Sequence, residues 1–325
     1  MRALQIQNDS NHSLALVKQP DPIFRAEQVL VKIHATAVNR ADLLQRRGLY
    51  PPPAGESEIL GLEAAGEIIA LGPNVKEWQI GARVFCLLAG GGYAEKVAVH
   101  QKMLLPIPPA WTYEQAAAVP EAFYTAFANL FVEARLQARE LLLIHAGGSG
   151  VGTAAIQMAR LAGALVIVTA GSEDKLEECR FLGANHAINY KQDDFADMVR
   201  KLTNDSGVDV ILDCVGASYF QKNLKLLRTR GRLVLIGLMG GAKTEVDLAV
   251  LMRKRLRVLG SVLRSRSLAE KIALTRLFRK KVLPQFENGN LHPVIDSVFP
   301  LAEAAQAHDY VASNQNFGKV VLRIA

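Results

Sequence analysis

From Met1 to about Pro109 the chain alternates short apolar or in-and-out runs with turn residues, as in VLVKIHATAV, GEIIALG, ARVFCLL and YAEKVAV. Such runs predict the strands of a mainly β domain. From about Ala116 the pattern changes. The runs ELLLIH (140–145), ALVIVTA (164–170), VDVILDCVG (208–216), GRLVLIGLM (231–239) and LRVLGSV (256–262) are almost continuously apolar and rich in Val, Ile and Leu. Strands of that kind are buried on both faces, as a parallel sheet requires. Helical patterns lie between them at 151–161, 174–182, 193–202 and 219–227. This alternation predicts a doubly wound α/β domain. Beyond Ser265 a basic helix and the strand-like pieces DSVFP and GKVVLRI do not continue the alternation, so this tail is assigned back to the first domain. The expected division is 1–120 with 265–325, around an inserted 121–264.

Composition narrows the class. Of 325 residues, 50% are hydrophobic and 21% charged, which excludes disorder and supplies material for two packed cores. No apolar run approaches the ~20 residues of a bilayer span, and MRALQIQNDSNHS lacks a signal-peptide core. A cytoplasmic protein without membrane partners is expected. Cys86, Cys179 and Cys214 have neither disulfide-framework nor metal-site spacing. The net charge of +7 comes from short clusters without interleaved aromatics, so no nucleic-acid partner is expected.

The sharpest motif follows the first of the buried runs. Gly147, Gly148, Ser149, Gly150, Val151 and Gly152 stand between a strand and a helix. Glycines there let a diphosphate approach the backbone and rest on the helix N-terminus. A rival reading, with Ser149 as a hydrolase nucleophile in G-x-S-x-G, fails because Val151 stands where glycine is needed. About 20 residues on, where NAD sites place a carboxylate, the chain reads Thr169-Ala170-Gly171-Ser172, with Lys175 close behind. A hydroxyl and an ammonium suit a 2′-phosphate, so NADPH is favoured over NADH.

Several ordered stretches now carry a family likeness: Asn39 to Leu43, Pro51 to Pro53, Ile59 to Glu63, Ala116 to Ala122, His145 to Gln157, Leu212 to Gly216, Gly237 to Gly241, Ser261 to Arg266 and Phe317 to Val321. Along its whole length the chain resembles the zinc-independent quinone oxidoreductases of the medium-chain dehydrogenase/reductase superfamily, closest to the tumour-suppressor-inducible subgroup. The resemblance implies a GroES-like β-rich catalytic domain around a Rossmann doubly wound parallel-sheet domain, with the active site in the cleft between them. It also implies a homodimer formed through an edge strand at about Arg255 to Val262. For the cofactor it implies Tyr190 beside the 2′-phosphate and further contacts from Gly237, Leu238, Met239, Ser261, Leu263 and Asn316.

In alcohol dehydrogenases of that superfamily, zinc is held by cysteine and histidine at positions that read Asn39 and Leu62 here. Neither replaces the ligand it stands for. Without a Lewis acid, alcohol oxidation is not expected, and reduction of a conjugated acceptor remains. Asn39, Tyr50 and Asp42 are the candidates for meeting the acceptor. Each has a structural alternative: Asn39 as a helix N-cap, Asp42 as a buried structural acid, Tyr50 as a ring packed on the prolines. His145 reads as a buried, hydrogen-bonded histidine rather than a base. The expected activity is NADPH-dependent quinone reduction. Reduction of activated alkenes, or an NADPH-occupied binding protein with little turnover, are the alternatives.

Overall fold

A computed structural model describes residues 1–324. The chain forms two compact units, one of Met1–Tyr124 with the segment from Arg264 onward, the other of Thr125–Leu263.

The first unit opens with β1 (Arg2–Ile6) and β2 (Leu14–Lys18), an antiparallel pair. Then come β3 (Gln28–Val38), α1 (Arg40–Arg46), β4 (Glu63–Leu71), β5 (Arg83–Leu87), β6 (Lys96–His100), β7 (Leu104–Pro106), α2 (Tyr113–Ala117) and α3 (Pro120–Phe127), whose last turn passes into the second unit. The second unit contains β8 (Leu141–Ile144), α4 (Gly150–Leu161), β9 (Leu165–Ala170), α5 (Glu173–Leu182), β10 (His186–Asn189) and α6 (Phe195–Leu202). It continues with β11 (Val208–Asp213), α7 (Ala217–Leu226), β12 (Leu227–Leu235), α8 (Leu248–Lys254) and β13 (Arg257–Gly260). The chain then returns to the first unit as α9 (Leu268–Lys281), α10 (Leu283–Glu287), β14 (Ile295–Pro300), α11 (Ala304–Ala312) and β15 (Lys319–Arg323).

In the second unit six parallel strands stand in the order β10-β9-β8-β11-β12-β13. Counted from β8, that is the order 3-2-1-4-5-6 of a dinucleotide-binding Rossmann sheet, with its switch point between β8 and β11. Its central strands β8, β9 and β11 are buried on both faces, as their apolar runs require. Leu143, Ile167, Ile211 and Leu233 pack with Phe195, Val199, Phe220 and Leu224 in one core. Removing such side chains from water contributes roughly 1.5 to 3 kcal/mol each.

Some element ends differ from the sequence pattern for identifiable reasons. The helix expected from residue 193 starts at Phe195, because Asp194 Oδ1 caps it by accepting from the N–H groups of Ala196 and Asp197. The run through Gly216 stops as a strand at Asp213, whose Oδ1 accepts from the N–H groups of Val215 and Gly216 and turns the chain. At Gly216 a φ of 82° starts α7 two residues early, a conformation that favours glycine. The run through Met239 leaves the sheet at Leu235, and Gly237 to Met239 form a loop at the strand's C-terminal end.

The first unit's sheet runs β14-β15-β3-β4-β5-β7, with β6 also on β3. It is antiparallel except for β14 with β15. One pairing positions the chemistry below. Val320 lies opposite Val38, so the end of β3 and the start of β15 meet although nearly the whole chain separates them. No helix among the described residues is long and apolar enough to cross a membrane.

Candidate active site

In the second unit the glycine turn follows β8 at the switch point. Ala146 takes a φ of 57° to reverse the chain. Ser149 is the N-cap of α4, and its hydroxyl accepts from Gly152 N–H at 3.0 Å. The first N–H groups of a helix lack intrahelical partners, so the Gly150–Val151 end of α4 presents donors suited to a diphosphate. A Cβ on Gly152 would stand 2.4 Å from the Ala146 carbonyl oxygen. One on Gly147 would stand 2.9 Å from Val168 Cβ and 3.0 Å from Cys179 Sγ. Both glycines are therefore demanded by packing as well as suited to a ligand.

His145, just before the turn, is 3% exposed and fully engaged. Its Nε2 donates to Asn223 Oδ1 at 2.9 Å, leaving Nδ1 to accept from the Thr169 hydroxyl at 3.2 Å. Burial holds its pKa below the ordinary histidine value. Asn223 in turn donates to Asp213 Oδ2 at 3.0 Å. The histidine ties β8 to β9 and α7, as a neutral structural group.

At the end of β9 the chain offers a second polar pocket wall. Ser172 is the N-cap residue of α5, but its side chain makes no cap hydrogen bond. Glu173 accepts from Asn189 Nδ2 at 2.9 Å. A Cβ at Gly171 would lie 2.8 Å from the Tyr190 hydroxyl oxygen and 3.2 Å from Lys191 Cε. Tyr190 and Lys191 thus border the strand tip where Ser172 stands, with Lys175 half-buried one turn into α5. Lys191 was not singled out by sequence, because it sits past the third strand with no motif around it.

Gly237, Leu238 and Met239 lie beyond β12, where Met239 N–H donates to the Cys214 carbonyl at 3.2 Å. Leu238 and Met239 are 55% and 54% exposed. Ser261 follows β13 and donates its N–H to the Leu235 carbonyl, while Leu263 is buried. These residues follow the C-terminal ends of the same sheet's strands. Asn316 stands apart in the first unit, where its amide donates to the Gly318 carbonyl at 2.9 Å.

The first unit holds a buried ionic cluster at the junction of β3, β4 and β15. Glu63 is 0% exposed. Its Oε1 accepts from Asn39 Nδ2 at 2.7 Å and from Lys319 Nζ at 2.8 Å, and its Oε2 accepts from Glu121 N–H at 2.8 Å. Lys319 also donates to Asn39 Oδ1 at 2.5 Å and to the Val38 carbonyl at 3.2 Å. Asn39 does occupy the N-cap position of α1, yet its side-chain amide is engaged by Glu63 and Lys319. The capping carboxylate is that of Asp42, which accepts from Asn39 N–H at 2.8 Å and from Gly61 N–H at 3.1 Å. Burial pushes Asp42 up to about 6. The Tyr93 hydroxyl lies 3.5 Å from Asp42 Oδ2 and 3.0 Å from His308 Nε2.

Tyr50 is half-buried, with its ring 5.3 Å from the Arg264 guanidinium. Arg264, 4% exposed, donates to the carbonyls of Tyr50 and Ala89 and to Gln45 Oε1. This fixes the loop that carries the tyrosine. Burial, then the nearby Glu121 charge, raises the Tyr50 pKa, which keeps the phenol a neutral donor. Sequence singled out neither Glu63, Lys319, Arg264 nor Glu121 as a site residue.

A Rossmann sheet with a glycine turn at its switch point, inserted into a β-rich unit built from both parts of the chain, defines a two-domain nicotinamide-type oxidoreductase architecture. Residues 150–279 match the family described as zinc-binding dehydrogenase, and 25–109 match the alcohol dehydrogenase GroES-like domain. The quinone oxidoreductase of Rattus norvegicus is 33% identical over 303 residues, covering 93% of this chain and 90% of its own. Among solved structures, the JamJ enoyl reductase superposes with a TM-score of 0.89 at 29% identity, covering 100% of this chain and 99% of its own. A mycobacterial protein complexed with NADPH gives 0.90 at 28% identity, covering 99% and 100%. The chain belongs to the medium-chain dehydrogenase/reductase superfamily, and it is an oxidoreductase with quinone oxidoreductases among its relatives.

Proposed function

We propose that the chain reduces quinones with NADPH and without a metal ion. The observation that carries the metal-free reading is the Lys319 ammonium. The positions matching zinc ligands in relatives hold Leu62, which is apolar and buried, and Asn39, whose amide is engaged by Lys319 and Glu63. A divalent cation 2 to 3 Å from Asn39 would have to displace the ammonium. These residues do not fit zinc.

They do fit NADPH. The α4 N-terminus and Ser149 turn suit its diphosphate, and Ser172, Tyr190 and Lys175 suit its 2′-phosphate, with Lys191 added by its position beside Gly171. NADPH, when bound, supplies a hydride. The protein's part is to hold a flat acceptor and donate hydrogen bonds to the oxygen where charge develops, each worth ~2.7 to 4 kcal/mol in known cases. The Tyr50 hydroxyl suits this role, because it has no hydrogen-bond partner among the described residues. Asn39 and Asp42 serve by positioning.

Turnover of benzoquinone, naphthoquinone, phenanthrenequinone and 2-alkenals, each with NADPH and with NADH, tests the reading. NADPH-preferring quinone turnover that survives chelator is expected. Faster reduction of the alkenals would favour the alkene reading, which the likeness to an enoyl reductase supports. Tight NADPH binding with no turnover on any acceptor would overturn both, leaving a binding protein.

A further inference from the structure

The ionic cluster leaves one carboxyl unaccounted for. Both oxygens of Glu63 are engaged, and Asp42 is fully buried with two backbone N–H donors. Glu121 differs from both. It is the second residue of α3 and is half-buried, and its carboxyl makes no hydrogen bond among the described residues. Its backbone is anchored at 2.8 Å to the same Glu63 that holds Asn39. Because Glu63 receives that N–H, the positive end of α3 already faces a carboxylate other than Glu121's own.

We infer that Glu121 is the proton donor to the reduced acceptor, an assignment that rests on the reductase reading above. An acceptor beside Tyr50 gains a hydride, which brings two electrons and one proton. The Glu121 O–H bond then breaks and its proton goes to the acceptor's oxyanion, giving the hydroquinone. Water returns a proton to the carboxylate, and the nicotinamide is left oxidised. A donor in this role must be protonated near neutral pH. Burial and the Glu63 charge push Glu121 up to about 8, Asp42 adds to the rise, and Lys319 and Arg264 act against it. Two further ionisable groups act on it: Tyr50, which stays neutral in this range, and the buried Lys271 of α9, whose own pKa burial lowers.

Two measurements test the assignment. In the cofactor-free protein, 13C-carboxyl NMR should show a glutamate titrating at about 8 that is missing from Glu121→Gln. In turnover with naphthoquinone, kcat of the wild type should fall as pH rises past that value. Glu121→Gln should lower kcat by about 10²-fold, within the range for general acids, and flatten the alkaline limb while KM and NADPH affinity hold. Glu121→Asp should restore part of kcat with a displaced limb, and it decides the matter should the glutamine variant not fold. A Glu121 that titrates as an ordinary carboxylate, or a glutamine variant with wild-type rate and profile, overturns the assignment. If the wild type reduces no acceptor, the functional reading has failed and the donor role falls with it, whatever the titration shows.

Discussion

In the turn between β8 and α4, the groups offered to a ligand are backbone N–H donors, and the side chains contribute chiefly by being absent. Around Glu63 the reverse holds. Asn39, Glu63, Glu121 and Lys319 come from four segments, and side chains make nearly every contact, the longest spanning 281 residues of sequence. The first arrangement tolerates no added carbon and the second no lost charge. A backbone-built site should therefore fail through sterics and a side-chain-built one through electrostatics, with different magnitudes.

The largest effect is expected at Lys319→Met. It leaves the Glu63 carboxyl, 0% exposed, without its cation. Breaking such a buried pair costs about 3 to 5 kcal/mol, read as a shift in the urea midpoint at pH 7. Adding Glu63→Gln should recover much of that loss. A single variant within about 1 kcal/mol of wild type would mean that the pair is solvated like a surface bridge.

This contrast also explains what could be read beforehand. The parallel sheet and glycine turn were legible because each is encoded locally, by runs such as LLLI and by glycines within one turn of a helix. The return of the tail to the β-rich unit was legible as a break in alternation. The pairing of β15 with β3 was not, since no local pattern says which strand a terminal segment joins. Lys319 is therefore legible as part of a motif but not as the partner of Glu63, and Asn39 reads as a helix cap as much as an acceptor ligand. Glu121 stands in the Ala116 to Ala122 stretch, yet only its missing partner marks it.

A second electrostatic test uses pH. The Asp42 carboxyl is raised from 3.8 to about 6 in the folded protein. Well below pH 3.8 both folded and unfolded states are protonated. As pH rises from 3.8 to about 6 the unfolded state ionises first, so stability is lost across this window, by about 3 kcal/mol at 1.36 kcal/mol per unit. Asp42→Asn cannot ionise, so its stability relative to wild type should improve by that order between pH 4 and 7. An offset that stays constant with pH would show that the two backbone N–H donors keep the carboxylate at its ordinary value.

The steric side is tested at the turn. Gly152→Ala would place Cβ 2.4 Å from the Ala146 oxygen and 2.5 Å from that of Gly147, both backbone atoms. Overpacking of this kind costs roughly 1 to 3 kcal/mol. Displacement of the turn should also weaken NADPH in calorimetric titration. Gly147→Ala meets the Val168 and Cys179 side chains instead. Side chains can shift, so it should cost less. Equal losses would mean that the turn, not its neighbours, yields in both.

The smallest effect on folding is expected at the far edge of the parallel sheet. Among the described residues β13 pairs only with β12, so its outer edge carries backbone groups without a strand partner. Val258, 37% exposed, and Val262, 49% exposed, add apolar area there. We expect two copies to pair along this edge. Val258→Lys places an ammonium at the edge without disturbing a buried contact, so monomer stability should change by no more than about 0.5 kcal/mol. Light scattering on a sizing column should nonetheless show the mass fall from a dimer toward a monomer of 35.4 kDa. A wild type that elutes as a monomer would leave the edge without a partner. A variant that stays dimeric would place the contact on another surface, one made by side chains.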